Sequence, residues 1–377
     1  MRIMGKEFED ILVGKQHIVI LTHMAPDGDA MGSALALYHW IQICQSEGRS
    51  VRETVCAPSA LRSVSVIVPN AFPAFYSWMP GAEQIKIYEK EPDACSALIA
   101  AADLFICTDF NDPKRINPAG DKMLANPAPK ILVDHHLKGT MDNGQWTKDY
   151  SDPSASSACE IVYRLIAAEA ADRCAAGPLH CKTADAVGPL SLLDNHIATC
   201  LYTGLMTDTG NFSYSSSRPE VFEMAAALLR AGIDKDAIHH AVFDQYSTDR
   251  VRLTGYALYR KMRIYPEHHL ALITLSADEL DQYHYQQGDC EGLVNIPLQI
   301  ADVCYSVLMR EERPKPGTPK PRIRISFRSQ GEHPVNIWAN EVFHGGGHMN
   351  ASGGEIFGSL AQAVQLFEKT YKTYIKQ

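Results

Sequence analysis

The chain has 377 residues, 46% of them hydrophobic and 21% charged, with 35 basic against 44 acidic side chains. This length predicts two domains, and the ordinary composition excludes disordered, collagen-like and low-complexity proteins. The formal net charge of −9 argues against attraction of the whole molecule to long nucleic acids or anionic membranes. A phosphate-bearing substrate remains compatible if metal ions or a local basic patch reverse the sign at the site.

The ten cysteines include no Cys-x-x-Cys pair, so zinc ribbons and thioredoxin-like redox chemistry lose support. Several lie in apolar runs, as Cys107 does after Leu104-Phe105-Ile106, and we interpret them as reduced, buried small hydrophobes. The N-terminus has no apolar signal-peptide core, and no run of 18 apolar residues occurs. The sequence therefore predicts a cytoplasmic protein without a membrane span.

The first half of the chain alternates β-branched runs with helical stretches, which is typical of an α/β fold with a parallel sheet. The predicted elements are buried strands at 17–22, 104–108 and 130–133, and helices at 30–44 and from caps at 154–157 to about 171. Residues 58–81 contain four prolines and four aromatic side chains. We interpret them as an irregular connection whose aromatic side chains pack on the core, in preference to a base-stacking platform.

The pattern changes after Ala231-Gly232. The predicted elements are a linking helix at about 236–262, a strand at 270–275, a charged, proline-rich loop at 310–322 and a strand at 323–329. We place the domain boundary between about 231 and 255, and assign residues 1–243 to a first domain and residues 244–377 to a second, smaller one.

Acidic and histidine clusters follow the predicted core segments. They are His23, Asp27 and Asp29 after the first strand, Asp109 after the second, Asp134-His135-His136 after the third, and Asp208 after an apolar stretch. Because open α/β sheets bind ligands at the carboxyl ends of their strands, we expect three of these clusters at one sheet edge. Imidazoles and carboxylates that converge there would repel one another unless cations neutralised them. A pair of divalent ions solves this problem, and mixed oxygen and imidazole ligands suit Mn²⁺.

Each cluster taken singly has a commoner structural interpretation. Asp27 and Asp29 could belong to a turn around Gly28, Asp109 could cap a helix, and Asp134 could orient a neighbouring imidazole. Because the motifs occur together at successive strand ends, chance explains them poorly, and we interpret them as a metal site.

The motifs in this order resemble those of the DHH phosphoesterase superfamily. The order is His-x3-Asp-x-Asp, Asp, Asp-His-His and Asp, and the late segment 345–354 is similar to the signature of the small DHHA1 domain. The resemblance covers roughly residues 15–360 and is closest to the bifunctional oligoribonucleases and 3′-phosphoadenosine 5′-phosphate (pAp) phosphatases. It implies a parallel-sheet DHH domain and a smaller α/β DHHA1-like domain, with the active site in the cleft between them.

The resemblance further implies a site with two Mn²⁺ ions. One ion would take His23, Asp27 and Asp109, and the other Asp29, Asp109, His135 and Asp208, so that Asp109 bridges them. Asp134 would support a ligating histidine from behind, and His136 would polarise the substrate phosphate. The two ions would generate hydroxide near pH 7 and neutralise charge at phosphorus, with Asp109, Asp134 and His136 as the catalytic residues.

The second domain carries the residues expected to bind substrate. Residues 322–328 alternate with period two, so Arg322, Arg324, Ser326 and Arg328 share one face. Such a face is usually only solvated, but arginines across from the metal site would bind phosphates. Of the residues on this face, Ser326 and Arg328 are the first candidates for substrate binding.

Gly345, Gly346 and Gly347 could let backbone N–H groups approach an anion, or could simply form a tight turn. His344 and His348 beside them favour nucleotide binding in the context of the family.

These expectations converge on a Mn²⁺-dependent phosphoesterase for short RNA oligonucleotides and pAp. The nearest alternative is a phosphodiesterase for linear or cyclic dinucleotides such as pApA or cyclic di-AMP. The non-enzymatic alternative is a nucleotide-sensing module on a DHH scaffold, which the presence of all the candidate ligands disfavours. Long nucleic-acid duplexes and membranes are not expected as partners, and a homodimer is compatible with the sequence.

Overall fold

The computed structural model describes residues 8, 10–46, 63–137, 144–175, 193–314 and 320–375. The chain divides into two compact units, Met1–Gln245 (unit 1) and Tyr246–Gln377 (unit 2). No helix in the described ranges is both long enough and apolar enough to cross a bilayer. The cysteines whose side chains are described, at positions 44, 95, 107, 159, 200, 290 and 304, are free thiols.

Unit 1 contains a parallel sheet with the strand order β3-β2-β1-β4-β5-β6. The strands are β1 (His17–Thr22), β2 (Ser63–Val68), β3 (Lys86–Ile87), β4 (Leu104–Thr108), β5 (Lys130–Val133) and β6 (Lys148–Asp149). The strand order reverses direction between β1 and β4. In such sheets, ligands bind outside the carboxyl ends of the strands at this reversal, so the residues after β1 and β4 occupy the favoured position.

Helices cover both faces of this sheet. They are α1 (Gly28–Ser46), α2 (Pro92–Ala101), α3 (Ala119–Ala125), α4 (Ala158–Ala175), α5 (Asn195–Asp208), α6 (Pro219–Arg230) and α7 (Lys235–Phe243). Ile18 and Ile20 of β1 belong to one hydrophobic core, whereas Val19 and Leu21 belong to another. Strands buried on both faces have continuous apolar sequences. This is why β1, β4 and β5 were recognisable, and the predicted α/β fold with a parallel sheet is confirmed.

The predicted irregular connection over residues 58–81 is wrong for its middle part. Ser63–Val68 form β2, which pairs in parallel with β1; residues 58–62 lie outside the described ranges. The run Ser-Val-Ser-Val-Ile-Val is rich in β-branched side chains, which suit a strand, but the surrounding prolines concealed it. The aromatic side chains behave largely as expected, since Tyr76 is buried and Phe72 and Phe75 pack against the core, whereas Trp78 is exposed.

Unit 2 contains a mixed sheet with the order β11-β12-β10-β9-β8-β7, in which β8 and β9 are parallel and the other pairs antiparallel. The strands are β7 (Arg263–Tyr265), β8 (Leu270–Leu275), β9 (Tyr305–Glu312), β10 (Arg322–Ser329), β11 (Gly346–His348) and β12 (Ala351–Phe357). The helices are α8 (Thr248–Tyr256), α9 (Ala277–Gln282), α10 (Asn336–Phe343) and α11 (Leu360–Tyr374). Ile325 and Phe327 of β10 pack with Trp338 of α10 and Phe367 of α11 in one core.

Two expected boundaries differ from the structure. The single linking helix expected at about 236–262 is instead α7, then α8 and a π-helical turn at Ala257–Lys261. The break occurs because Ser247 caps a new helix, its hydroxyl accepting a hydrogen bond from the amide of Arg250 at 3.0 Å. The loop expected at 310–322 is shorter, because β9 continues to Glu312 and β10 begins at Arg322; residues 315–319 lie outside the described ranges.

Candidate metal centre

The turn from β1 into α1 shapes the first cluster. His23 donates from Nδ1 to the carbonyl oxygen of Met24 at 2.9 Å, and its Nε2 lies 3.2 Å from Oδ2 of Asp109. Asp27 Oδ1 accepts hydrogen bonds from the amides of Asp29 and Ala30 at 3.1 and 3.0 Å. Asp27 therefore caps α1, whereas the structural interpretation of this motif was a turn around Gly28, and the same Oδ1 lies 3.8 Å from His23 Nε2.

Asp29 is buried, whereas the side chain of Asp27 is partly exposed. The carboxylate of Asp29 accepts hydrogen bonds from the amides of Ala158 at 2.6 Å and Cys159 at 2.9 Å. These are the first two amides of α4, where a helix presents unpaired N–H groups and a partial positive charge. Its Oδ2 also lies 3.7 Å from His135 Nε2. Two backbone N–H groups thus set the orientation of the Asp29 carboxylate.

Asp109 lies at the centre of the cluster. It follows β4 with φ +63°, a left-handed conformation that aspartate and asparagine adopt more readily than most residues. Its Oδ1 lies 3.4 Å from His135 Nε2 and 3.5 Å from His136 Nδ1. These contacts do not meet the geometry of a hydrogen bond, so Oδ1 is buried without a hydrogen-bond partner among the described residues. A buried, unsatisfied carboxylate oxygen is costly unless a cation compensates it.

Within unit 1, three groups of side chains have ligand atoms within 4.8 Å of one another, and Asp109 belongs to all three. The groups are His23–Asp27–Asp109, Asp29–Asp109–His135 and Asp109–Asp134–His136. Asp208, the last residue of α5, joins through its Oδ2, which lies 3.4 Å from His135 Nε2. The structure therefore brings together every residue of unit 1 that the sequence assigned to the site. That these residues bind metal remains a prediction.

The Asp-His-His motif divides its two imidazoles between different surroundings. His135 is buried and faces the carboxylates of Asp29, Asp109 and Asp208. His136 is more exposed, and its Nδ1 lies 2.7 Å from Oδ1 of the buried Asp134. Asp134 thus orients His136, although we had expected it to support a ligating histidine.

Arg115 completes this edge of the cluster, since its Nη1 lies 3.3 Å from Nε2 of His136. The loop after Asp109 and the Asp-His-His motif are thus joined by a contact between side chains.

Crowding of carboxylates perturbs the pKa values of the cluster. Burial raises the pKa of Asp29 well above its usual range, and the charges of Asp109 and Asp208 raise it further. Burial lowers the pKa of His135, but Asp208 and the neighbouring Asp109 and Asp29 outweigh it and raise that pKa well above its usual range. Without cations the cluster would retain protons to limit its own repulsion. Divalent ions would relieve the same repulsion.

Most of the residues that the sequence predicts to bind substrate lie on two strands of the sheet in unit 2, β10 and β11. The alternation along β10 is as expected, with Ile323, Ile325 and Phe327 buried and the intervening polar residues half-buried. Antiparallel pairing aligns Ser326 with Gly353 and Gly346 in one row, and Arg328 with Ala351 and His348 in the next. Directly opposed residues share a face. Ser326, Arg328, Gly346 and His348 therefore lie on the same face of the sheet in unit 2.

Gly346 and Gly347 begin β11, the first strand of a β-hairpin with β12, and Gly345 directly precedes it. A Cβ on Gly345 would lie 1.8 Å from the carbonyl oxygen of Gly353, so this glycine is required by the chain's own packing. Nothing lies within 4 Å of the corresponding position on Gly346. His344 ends α10 in a left-handed conformation, just before the hairpin. Close packing against Gly353 thus explains Gly345, and the space beside Gly346 on this face of the sheet is open.

Sequence reasoning missed residues that support the cluster from outside the motifs. Asn70 accepts a hydrogen bond from the amide of Ala25 at 2.7 Å and so fixes the loop that carries His23 and Asp27. The buried carboxylate of Glu160 forms an ion pair with the partly exposed Arg218 beside the start of α4. The Ser-x-x-Glu capping pattern at residues 157–160 could have revealed Glu160, whereas no local signal pairs it with Arg218.

Comparisons with known proteins agree with this geometry. The DHH family, N-terminal domain, matches residues 17–205 of the chain. A solved structure of an exopolyphosphatase-related protein from Bacteroides fragilis is similar, with 39% identity, a TM-score of 0.81, and coverage of 99% of this chain and 97% of that one. The match spans both units, and it supports the mixed α/β fold.

Two curated relatives are more distant. The bifunctional oligoribonuclease and PAP phosphatase NrnA of Thermus thermophilus is 25% identical over 92% of this chain and 87% of its own length. The cyclic-di-AMP phosphodiesterase GdpP of Bacillus subtilis is 22% identical over 100% of this chain, which spans 50% of that protein.

Proposed function

Because the chain belongs to the DHH family of phosphoesterases, we propose that it is a Mn²⁺-dependent phosphoesterase for short RNA oligonucleotides and pAp. The observation that carries this proposal is the shared position of Asp109 in three groups of potential metal ligands. A carboxylate common to adjacent groups can bridge two ions, which suits a site for two metals. The oligoribonuclease and PAP phosphatase relative, aligned along most of both chains, supports the choice of substrate.

The donor set fits divalent ions. His23, Asp27 and Asp109 would hold one ion, and Asp29, Asp109, His135 and Asp208 the other. Carboxylate oxygens with imidazole nitrogens suit Mn²⁺, and Oδ1 of Asp109 is a buried acceptor without a hydrogen bond among the described residues. When bound, such ions lower the pKa of water and neutralise charge on phosphoryl oxygens.

His136 and Arg115 would act on the substrate phosphate. Asp134 holds the imidazole of His136 by its Nδ1, so the ring cannot rotate away. Arg115 donates from Nη1 to Nε2 of this ring at 3.3 Å, so a single phosphate oxygen could contact both groups. Such donors stabilise charge that develops on the phosphate in the transition state.

Unit 2 would bind the nucleotide. Its polar sheet face offers a guanidinium at Arg328, a hydroxyl at Ser326 and an imidazole at His348, with the open Gly346–Gly353 row beside them. Guanidinium groups bind phosphates through paired hydrogen bonds. Arg322 contributes less, because its Nε already donates to Glu355 at 2.6 Å.

Two of the similar proteins point to other phosphate substrates. The cyclic-di-AMP phosphodiesterase matches the full length of this chain, which makes linear or cyclic dinucleotides the second candidate. The exopolyphosphatase-related protein is 39% identical, so inorganic polyphosphate is a third substrate to test. All three reactions break a phosphorus–oxygen bond with water and could use the same cluster.

The test is hydrolysis by the purified protein with Mn²⁺ or Mg²⁺, with pApA, pAp, cyclic di-AMP, a 24-nucleotide RNA and polyphosphate as substrates. We expect turnover of pApA and pAp, and an Asp109→Asn control without turnover under the same conditions. Faster hydrolysis of cyclic di-AMP or polyphosphate would replace the substrate assignment. Nucleotide binding without turnover of any substrate would favour the sensing module and contradict the enzyme.

A further inference from the structure

We propose that Glu160 and Arg218 are positioning residues for the metal centre, and that metal affinity depends on them although neither is a candidate ligand. This inference rests on the proposed function, because it concerns how strongly the cluster binds Mn²⁺. It starts from Asp29, whose two oxygens are held by the amides of Ala158 and Cys159 at the start of α4. Whatever fixes the first turn of α4 therefore fixes Asp29.

Glu160 fixes that turn by local hydrogen bonds. Its Oε2 accepts from both the amide and the hydroxyl of Ser156, at 2.6 and 2.7 Å. In return, the amide of Glu160 donates to the hydroxyl of Ser157 at 3.0 Å. This reciprocal arrangement is a variant of the capping box, in which the third residue of a helix reaches back to the residues that precede it. The start of α4 cannot shift without breaking several hydrogen bonds.

Glu160 is 1% exposed, so its charge needs partners. Arg218 donates from Nη2 to both carboxylate oxygens, at 2.7 and 2.5 Å. Arg164 also donates to Glu160 and donates to Asp152 at 2.6 Å. Two guanidinium groups and two carboxylates thus join the segment before α4 to the residue before α6.

Arg218 extends this network to a second candidate ligand. It ends the loop that begins directly after Asp208, and this loop contains left-handed residues at Gly210, Asn211, Phe212 and Ser215. Such a backbone persists only when its surroundings hold it in place. At one end the hydroxyl of Thr209 accepts from the amide of Phe212 at 3.1 Å, and at the other Arg218 is anchored to Glu160. The ion pair between Glu160 and Arg218 therefore supports the backbone segments next to both Asp29 and Asp208.

A purely structural ion pair would stabilise unit 1 without affecting metal affinity, and unit 2 provides a matched control for that case. Glu279 is also the third residue of a helix and forms a capping box with Ser276. Lys261 donates to it at 2.7 Å. No candidate ligand lies in α9. Glu279→Gln therefore removes the same kind of interaction from a helix that supports no part of the cluster.

The experiment measures Mn²⁺ binding by isothermal titration calorimetry to protein stripped with a chelator, alongside its thermal unfolding. The proteins are the wild type, Glu160→Gln, Arg218→Met, Arg218→Lys and Glu279→Gln. We expect Glu160→Gln and Arg218→Met to bind Mn²⁺ about 10- to 100-fold more weakly than the wild type. Arg218→Lys should fall between, because it keeps the charge and loses the paired geometry. Glu279→Gln should lower the melting temperature and leave the affinity unchanged.

The inference is wrong if folded Glu160→Gln and Arg218→Met bind Mn²⁺ as tightly as the wild type, or if Glu279→Gln weakens binding equally. If Glu160→Gln does not fold, Arg218→Met decides, because the Arg218 side chain is 34% exposed and its replacement leaves the carboxylate paired with Arg164. A wild-type protein that binds no Mn²⁺ would instead overturn the proposed function, and with it the basis of this inference. The two failures are therefore distinguishable.

Discussion

The two units present their candidate functional side chains in opposite ways. In unit 1, Asp29, Asp109 and His135 are 1, 2 and 4% exposed, and backbone amides or neighbouring side chains orient them. In unit 2, Ser326 and Arg328 are half-buried on a sheet face. Chemistry that depends on accurate geometry benefits from groups held before the substrate arrives. Recognition of a variable substrate tolerates groups that adjust.

The two units also differ in how far neighbouring groups of opposite sign compensate their charged side chains. Unit 1 gathers carboxylates whose repulsion raises the pKa of Asp29 on top of its burial. In unit 2, acids of the same sheet face offset its basic residues, since Arg322 bonds to Glu355 and Arg310 to Glu312 at 3.0 Å. The unbalanced charge of unit 1 is typical of a site that takes up cations. In unit 2 the acids offset only part of the basic charge, because Arg324 and Arg328 share the same face, and this suits a surface that binds one or two phosphates.

The largest effect is expected from Asp109→Asn, which should lower turnover by at least about 10³-fold and abolish binding of one or both ions. Asparagine tolerates the left-handed backbone at this position, so the fold should survive, as circular dichroism would check. Alanine would add backbone strain and is the poorer test. Near wild-type turnover of this variant would refute a site that depends on two ions.

His136→Ala should lower kcat by about 10²-fold with little change in KM, because this imidazole acts where charge develops. Steady-state kinetics with pApA would show it. The effect should be smaller than that of Asp109→Asn, since the candidate ligands remain. If KM rose and kcat did not change, His136 would be a binding residue, and the contrast between the units would weaken.

Activity should fall with substrate length, with RNA of two to five nucleotides cleaved at least about 10-fold faster than a 24-nucleotide RNA. Long-strand binders gain affinity by neutralising many phosphates, whereas this chain has a net charge of −9. Single-turnover rates at moderate salt would provide the comparison. Equal rates for the dinucleotide and the long RNA would favour a processive exonuclease.

Arg328→Ala should raise KM about 10-fold and change kcat little, because the role proposed for Arg328 is to bind a substrate phosphate and not to stabilise charge in the transition state. Arg322→Ala is the matched control on the same strand and face. Because Glu355 already binds Arg322, its loss should alter KM by about threefold or less. Equal increases in KM for the two substitutions would mean that Arg328 has no greater part in substrate binding than Arg322.

The smallest effect concerns acid stability, where the units should behave alike. Burial raises the pKa of Glu160, but Arg218 and Ser156 outweigh it and hold the pKa below its usual range. Burial, Lys261 and Ser276 act in the same way on Glu279. A depressed carboxyl pKa stabilises the folded state above the unfolded pKa, and this contribution is lost as pH falls through the folded pKa.

Glu160→Gln and Glu279→Gln should therefore each lower the free energy of unfolding by about 1–3 kcal/mol near pH 7. The difference from the wild type should shrink in acid. Urea unfolding in chelator at several pH values would measure this. A difference that grew in acid would contradict the sign of the shift.

The sequence by itself determined the central strands and the residues that follow them. β1, β4 and β5 are buried on both faces, so each is a continuous apolar run, and each ends where a candidate ligand or its motif begins. The period-two pattern of 322–328 likewise determined which side chains of β10 share a face. These features are local, because they depend only on the spacing of residues along one segment.

Only the tertiary structure decided how distant segments support one another. Asp29 accepts hydrogen bonds from amides more than a hundred residues away, Asp134 orients His136, and Glu160 pairs with Arg218 from another segment. The position of β2 beside β1 was also missed, because its β-branched run is flanked by prolines. Local patterns specify local conformation, whereas these pairings depend on the strand order and on how α4, α5 and α6 pack, and the spacing of residues along one segment does not encode either.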